Sequence, residues 1–208
     1  MSIVTVGTVA FDAIETPFDK TDKIVGGAAT YIGWAASYFH KPINIVSIIG
    51  DDFDMSELDK LRARGVDTEG IEIKNGGKSF FWSGKYHMDM NSRDTLATEL
   101  NVLLEFNPIL PDAYKKPEFV MLGNIDPHLQ EKVIDQLEER PKLIVMDTMN
   151  FWMDNTWDQL IKTIAKVDVL TINDEEARQL SGEHSLVKAS RKIFEMGPKF
   201  LVIKKGEH

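Results

Sequence analysis

Strand-length apolar runs alternate with helical patterns along most of this chain, and that alternation narrows its fold more than any other feature. Residues 3–9 and 43–49 read as buried strands, and residues 55–64, between Asp54 and Gly65, read as a short helix with a glycine stop. After Pro117, β-rich runs at residues 119–122, 143–146, 167–172 and 200–203 are separated by helical patterns at 128–139, 157–165, 175–180 and 186–195. Such a succession implies an α/β fold, a doubly wound, mostly parallel sheet with helices on both faces. Residues 70–104 break the rhythm. There, 71–74 and 78–87 flank Asn75-Gly76-Gly77, a hairpin signal, so this stretch reads as an inserted β lid, with residues 13–25 as its candidate extension. The run Phe80-Phe81-Trp82 makes the second lid strand apolar on both faces near its start, where it can cover a ligand, pair with another subunit or rest on its own domain.

Composition removes several function classes. The 208 residues, 43% of them hydrophobic, suffice for one large domain or one domain with a small appendage. A formal charge of -9 argues against a nucleic-acid or anionic-membrane surface. Without cysteine there is no disulfide framework, thiolate zinc site or cysteine nucleophile. The start Ser2-Ile3-Val4-Thr5-Val6 is no signal peptide, and no window is long and apolar enough for a membrane span, which makes the expected location cytoplasmic.

Four polar elements remain near the starts of helices or the ends of strands. Asp12 ends the first strand, and Gly26-Gly27-Ala28-Ala29-Thr30-Tyr31 leads into the helical run 32–39. Paired glycines at a helix start let backbone N–H groups approach a ligand, and a nearby carboxylate suits a polyhydroxylated one; a plain tight turn fits the same residues. Gly50-Asp51-Asp52 follows the second strand, and Asp51, Asp52 or Asp54 also reads as a helix cap. Asp147 and Asn150 follow the 143–146 run, where either also fits a turn. Asn173 and Glu176, three apart at a helix start, fit a hydrated magnesium ion beside a phosphate, and equally a capping box. Gly77-Lys78-Ser79 is not a P-loop, because Glu72 stands where its first glycine belongs and a strand follows. No dinucleotide fingerprint, zinc-protease motif or serine-esterase elbow is present.

In this order, Asp12, Gly26-Gly27, Gly50-Asp51, the inserted lid, Asp147-Thr148-Met149-Asn150, Asn173-x-x-Glu176 and Lys205-Gly206 resemble the ribokinase/PfkB family of sugar and nucleoside kinases along the whole chain. The resemblance implies an ATP-dependent phosphotransferase acting on a hydroxyl of a sugar or nucleoside. Asp12, Gly26, Gly27 and Tyr31 would bind the acceptor. Asn173, Lys204 and Gly206 would bind the nucleotide, and Asn173 with Glu176 would hold Mg2+. The lid would exclude water, and pairing through lids in parts of the family implies a homodimer. Two amides common in the family are here Ala10 and Tyr31, which points to an acceptor that is less ribose-like or has an aromatic or apolar portion. The family's late Gly-Ala-Gly-Asp-type helix start, source of its catalytic base, has no counterpart in the sequence. The expectation is therefore a C-terminally incomplete ribokinase-like domain over residues 1–208, with no catalytic aspartate of its own and inactive alone. The alternative is a non-catalytic protein that keeps the scaffold for ligand sensing or partner binding.

Overall fold

The computed structural model describes residues 2–90 and 92–206. In chain order the elements are β1 (Ile3–Val6), β2 (Ala10–Glu15), β3 (Ile24–Gly26), α1 (Ala28–Ala36), β4 (Ile43–Gly50), α2 (Met55–Ala63), β5 (Val66–Lys74), β6 (Phe81–Tyr86) and β7 (Arg93–Glu99). Then follow β8 (Phe119–Leu122), α3 (Pro127–Asp135), β9 (Leu143–Asp147), α4 (Asn150–Asn155), α5 (Trp157–Ile164), β10 (Val169–Asn173), α6 (Asp174–Ser181), α7 (Leu186–Glu195) and β11 (Phe200–Lys204).

Seven parallel strands form the larger sheet in the order β11-β10-β9-β8-β1-β4-β5. From β1 the chain winds outward one way through β4 and β5, then returns and winds the other way through β8 to β11. The reversal falls between β1 and β8, and such a crevice at the carboxyl ends of the strands is where open α/β sheets bind ligands.

Alternate side chains enter two cores. Val4, Val6, Val120, Leu122, Ile144, Met146, Leu170 and Ile172 pack with Val133 of α3, Leu160 and Ile164 of α5, Leu180 of α6 and Ile193 of α7. On the opposite face Ile43, Ile45 and Ile49 pack against Ala29 of α1 and Leu58 and Leu61 of α2. Register places Phe119, Leu143, Val145, Val169, Phe200 and Val202 on this second face too. Over β11 that face is open: Phe200 is 57% and Val202 50% exposed.

The smaller sheet, ordered β3-β2-β6-β7, differs from the sequence expectation in two ways. Residues 3–9 are not one strand ending near Asp12. The chain leaves the larger sheet after Val6, where the Gly7 N–H still reaches Val46 O, and the Ser47 hydroxyl donates to Gly7 O at 2.7 Å while accepting the Val9 N–H at 3.0 Å. Asp12 therefore lies inside β2, in the smaller sheet. Nor do residues 71–74 pair with 78–87 as a hairpin. They end β5, which runs parallel to β4, while β6 runs parallel to β2 and pairs antiparallel with β7. The turn at Gly76 forms, but Asp51 captures the Gly76 N–H at 2.7 Å and the chain is led across to the smaller sheet.

Candidate functional site

The two adjacent glycines have separate physical reasons. Gly27 has φ +92, and a Cβ there would stand 2.4 Å from the Thr8 carbonyl oxygen. Thr8 closes the start of α1 from outside, its hydroxyl accepting the Ala28 N–H at 3.0 Å and its carbonyl the Ala29 N–H at 2.9 Å. Gly27, the N-cap residue, has no side chain to cap the helix, so the cap is supplied by Thr8 from outside it. The helix begins four residues earlier than the expected 32–39, since Ala28 and Ala29 are good helix formers.

Gly26 makes room for Asp12. In the antiparallel β2–β3 pair, a Cβ on Gly26 would lie 2.0 Å from Asp12 Oδ2. Burial pushes the Asp12 carboxyl above the usual carboxylate range, and the Gly27 N–H partly offsets this by favouring the anion. A pKa raised on folding penalises the folded state above that pKa; the penalty is relieved as pH falls through it and vanishes below the ordinary carboxylate value. Asp12→Asn is therefore expected to raise the thermal midpoint at neutral pH, by an amount that shrinks on acidification. Thermal unfolding of both proteins across pH checks this, and a variant less stable than wild type at pH 7 would contradict it.

Tyr31, 54% exposed, stands on the first turn of α1 near this carboxylate. Burial raises its phenol pKa, and the charges of Asp12 and Tyr86 raise it further. The structure thus brings Asp12, Gly26, Gly27 and Tyr31 together, and adds Tyr86 of β6, which no sequence motif marked.

A second cluster forms where β9, β10 and β11 end. Lys204 pairs with Asp147 at 3.0 Å, and the Thr171 hydroxyl donates to the same carboxylate at 3.2 Å. Asn173 and Glu176 form the capping box of α6: Asn173 Oδ1 accepts the Glu176 N–H and Glu176 Oε2 accepts the Asn173 N–H, each at 2.7 Å. Glu176 is only 4% exposed. Burial raises its pKa; the Asn173 N–H, Lys204 and Arg93 pull it down, while Asp147 pushes it up.

Among the described residues no three His, Cys, Asp or Glu side chains gather as a metal-binding set. The box occupies Asn173 Oδ1 and one oxygen of Glu176, leaving the other oxygen of a buried carboxylate in the field of Asp147. That donor set fits a cation that keeps most of its water, as Mg2+ does, and not one caged by protein. Gly206, at φ +64, continues from β11 at the same end.

The third polar set is structural. Asp54, not Asp51 or Asp52, caps α2 by accepting the Ser56 N–H at 2.9 Å. Asp52 accepts the Ser79 N–H at 2.7 Å and pairs with Lys23 at 3.1 Å, joining the β2–β3 loop to the larger sheet. Phe11 and Phe53 stack at 5.0 Å beneath Lys23. Asn150 begins α4 and donates to Gln179, so it does not join Asp147 in the second cluster.

Comparison with known proteins agrees with this fold. A cytidine kinase of Thermococcus kodakarensis is 26% identical over 211 residues, covering 100% of this chain and 74% of that protein. An Anopheles gambiae adenosine kinase superposes with a TM-score of 0.79 at 15% identity, covering 98% of this chain and 77% of the other. A nucleoside kinase of Burkholderia thailandensis, bound to inosine, gives 0.74 at 16% identity, covering 99% and 70%. The family model of the pfkB carbohydrate kinases matches residues 2–208, and with a parallel sheet wound both ways from β1 and two polar clusters on its carboxyl side, the chain belongs to that family.

Proposed function

We propose that this kinase-family chain binds a nucleoside in preference to a plain sugar, and ATP with magnesium, for phosphoryl transfer to a hydroxyl of the acceptor. The observation that carries the reading is the Asp12 carboxylate, held in the gap left by Gly26 and steadied by the Gly27 N–H at the amino end of α1. Ionised, it accepts hydrogen bonds from acceptor hydroxyls. Tyr31, standing where an amide is common in the family, and Tyr86 offer ring faces to a base. The Thermococcus kodakarensis relative, a cytidine kinase, supports a nucleoside acceptor.

The second cluster supports the nucleotide assignment. Lys204 supplies positive charge beside Asp147, and Asn173 with Glu176 would orient a hydrated Mg2+. Bound there, the ion would neutralise phosphate charge during transfer. The smaller sheet would act as the lid that excludes water, and β7 at its edge would pair two copies into a dimer, which light scattering tests. No helix among the described residues is long and apolar enough to cross a membrane. The 208 residues, lacking a Gly-Ala-Gly-Asp-type start, are expected to bind without turning over ATP.

A thermal-shift panel tests the function. Cytidine, inosine and adenosine should raise the midpoint more than ribose or fructose, since a ligand that binds only the folded state must stabilise it. Sugars outcompeting nucleosides would overturn the nucleoside preference, and magnesium-dependent turnover by this chain would overturn its proposed inactivity.

A further inference from the structure

β3 is the shortest strand of the smaller sheet and lies at its edge, joined to β2 by the pairs Ala10 with Gly26, Phe11 with Val25 and Asp12 with Ile24. Yet this strand shapes the acceptor cluster, because its Gly26 leaves the gap that the Asp12 carboxylate fills. A pairing so short needs a second support.

Lys23, directly before β3, supplies one. Its Nζ lies 3.1 Å from Asp52 Oδ2, just beyond the end of β4 in the larger sheet, and 3.9 Å from the centroid of the Phe11 ring. Asp52 Oδ1 accepts the Ser79 N–H at 2.7 Å, so the two oxygens of one carboxylate fasten two segments of the smaller sheet, the start of β3 and the entry to β6. Ser79 is fixed from other sides as well: its hydroxyl accepts the Gly50 N–H at 3.0 Å, and its carbonyl accepts the Asn101 side-chain amide at 2.9 Å. At the start of β3 the corresponding tie is the ion pair. Phe11, on which Lys23 rests, stacks on Phe53 at 5.0 Å and immediately precedes Asp12. Successive side chains of a strand point to opposite faces, so the pair acts from the side of β2 away from the Asp12 carboxylate.

We propose that Lys23 and Asp52 are positioning residues for the acceptor, their ion pair holding β3 against the larger sheet and so keeping Asp12 in the gap at Gly26. This rests on the reading of Asp12 as the acceptor-binding group.

Calorimetric titration of cytidine, inosine and adenosine into wild type, Lys23→Met, Lys23→Arg, Asp52→Asn and the Lys23→Met, Asp52→Asn double variant, at about 0.05 M and about 0.5 M NaCl, tests the proposal. These ligands are uncharged at neutral pH, so their binding carries no salt dependence of its own. In wild type the higher salt should weaken binding about two- to fivefold, the range expected for a part-exposed ion pair. Lys23→Met and Asp52→Asn should show that loss already at low salt and bind independently of salt, with no further loss in the double variant. Lys23→Arg should restore both the affinity and its salt dependence. Without ligand, hydrogen exchange at the β2–β3 amides should quicken by a similar factor in Lys23→Met, with that of β9 and β10 unchanged. A pair that only stabilised the fold would lower the thermal midpoint without making a neutral ligand's affinity depend on salt. Salt-independent binding by wild type overturns the proposal, as does Lys23→Met binding as tightly as wild type at low salt, or additive losses in the double variant. If exchange quickens but no nucleoside binds wild type, the acceptor reading of Asp12 has failed, and the positioning role falls with it.

Discussion

Gly27→Ala is expected to destabilise the fold by at least about 3 kcal/mol, the range of left-handed backbone strain compounded by a clash that cannot relax. At φ +92 the new methyl would sit 2.4 Å from the Thr8 carbonyl oxygen and 3.0 Å from the Ala10 nitrogen, both main-chain atoms. Relief would require moving the segment that accepts the Ala28 and Ala29 N–H groups, so the start of α1 would loosen as well. Urea unfolding checks this. A midpoint within experimental error of wild type would show that the turn tolerates a side chain.

Gly26→Ala should behave in the opposite way. Its φ is not positive, and the atoms in its path are those of the Asp12 carboxylate, 2.0 to 3.0 Å from the added Cβ. A side chain can swing aside where a backbone cannot, so the stability cost should stay below about 1 kcal/mol. Acceptor affinity, however, should fall by about a hundredfold, matching Asp12→Ala, because the carboxylate is driven from its place. The double variant Asp12→Ala with Gly26→Ala should bind no worse than either single one, since both remove one interaction. Additive losses would mean that Gly26 acts on the ligand by itself.

The contrast between these neighbours was invisible in the sequence, where Gly26-Gly27 reads as one motif. Their separation depends on the pairing of β3 with β2, and on Thr8, whose position follows from the break after Val6. The 3–9 run carries no signal for that break, because Val9 is as apolar as Val4 and fully buried in another core. Local patterns did define most helices and strands after Pro117: residues 119–122 and 186–195 match β8 and α7, where apolar periodicity and packing agree, whereas α4 was not expected and α3 ends at Asp135, short of the expected 139. The Asn75-Gly76 signal misled for a physical reason. The turn is real, but β5 finds its partner in β4 and β6 finds its partner in β2, about 70 residues earlier in the chain.

Tyr86 and Thr8 were missed because each acts through a tertiary neighbour. β7 is mostly exposed, lacks hydrophobic alternation and gives no strand signal of its own. Asn173-x-x-Glu176 was legible as a capping box and forms one, and that box is also what fixes the buried carboxylate beside Asp147 and Lys204. Structural and ligand-binding readings of this motif are therefore compatible.

The claim on which the rest depends is that the Asp12 carboxylate, under the amino end of α1, binds the acceptor. Calorimetric titration of cytidine, inosine, adenosine, ribose and fructose into wild type and Asp12→Ala tests it directly. At least one of these ligands should bind wild type and lose about a hundredfold in affinity in the variant, with the circular dichroism of the two proteins unchanged. Equal binding to both proteins, or binding of none of the five to wild type, would contradict it.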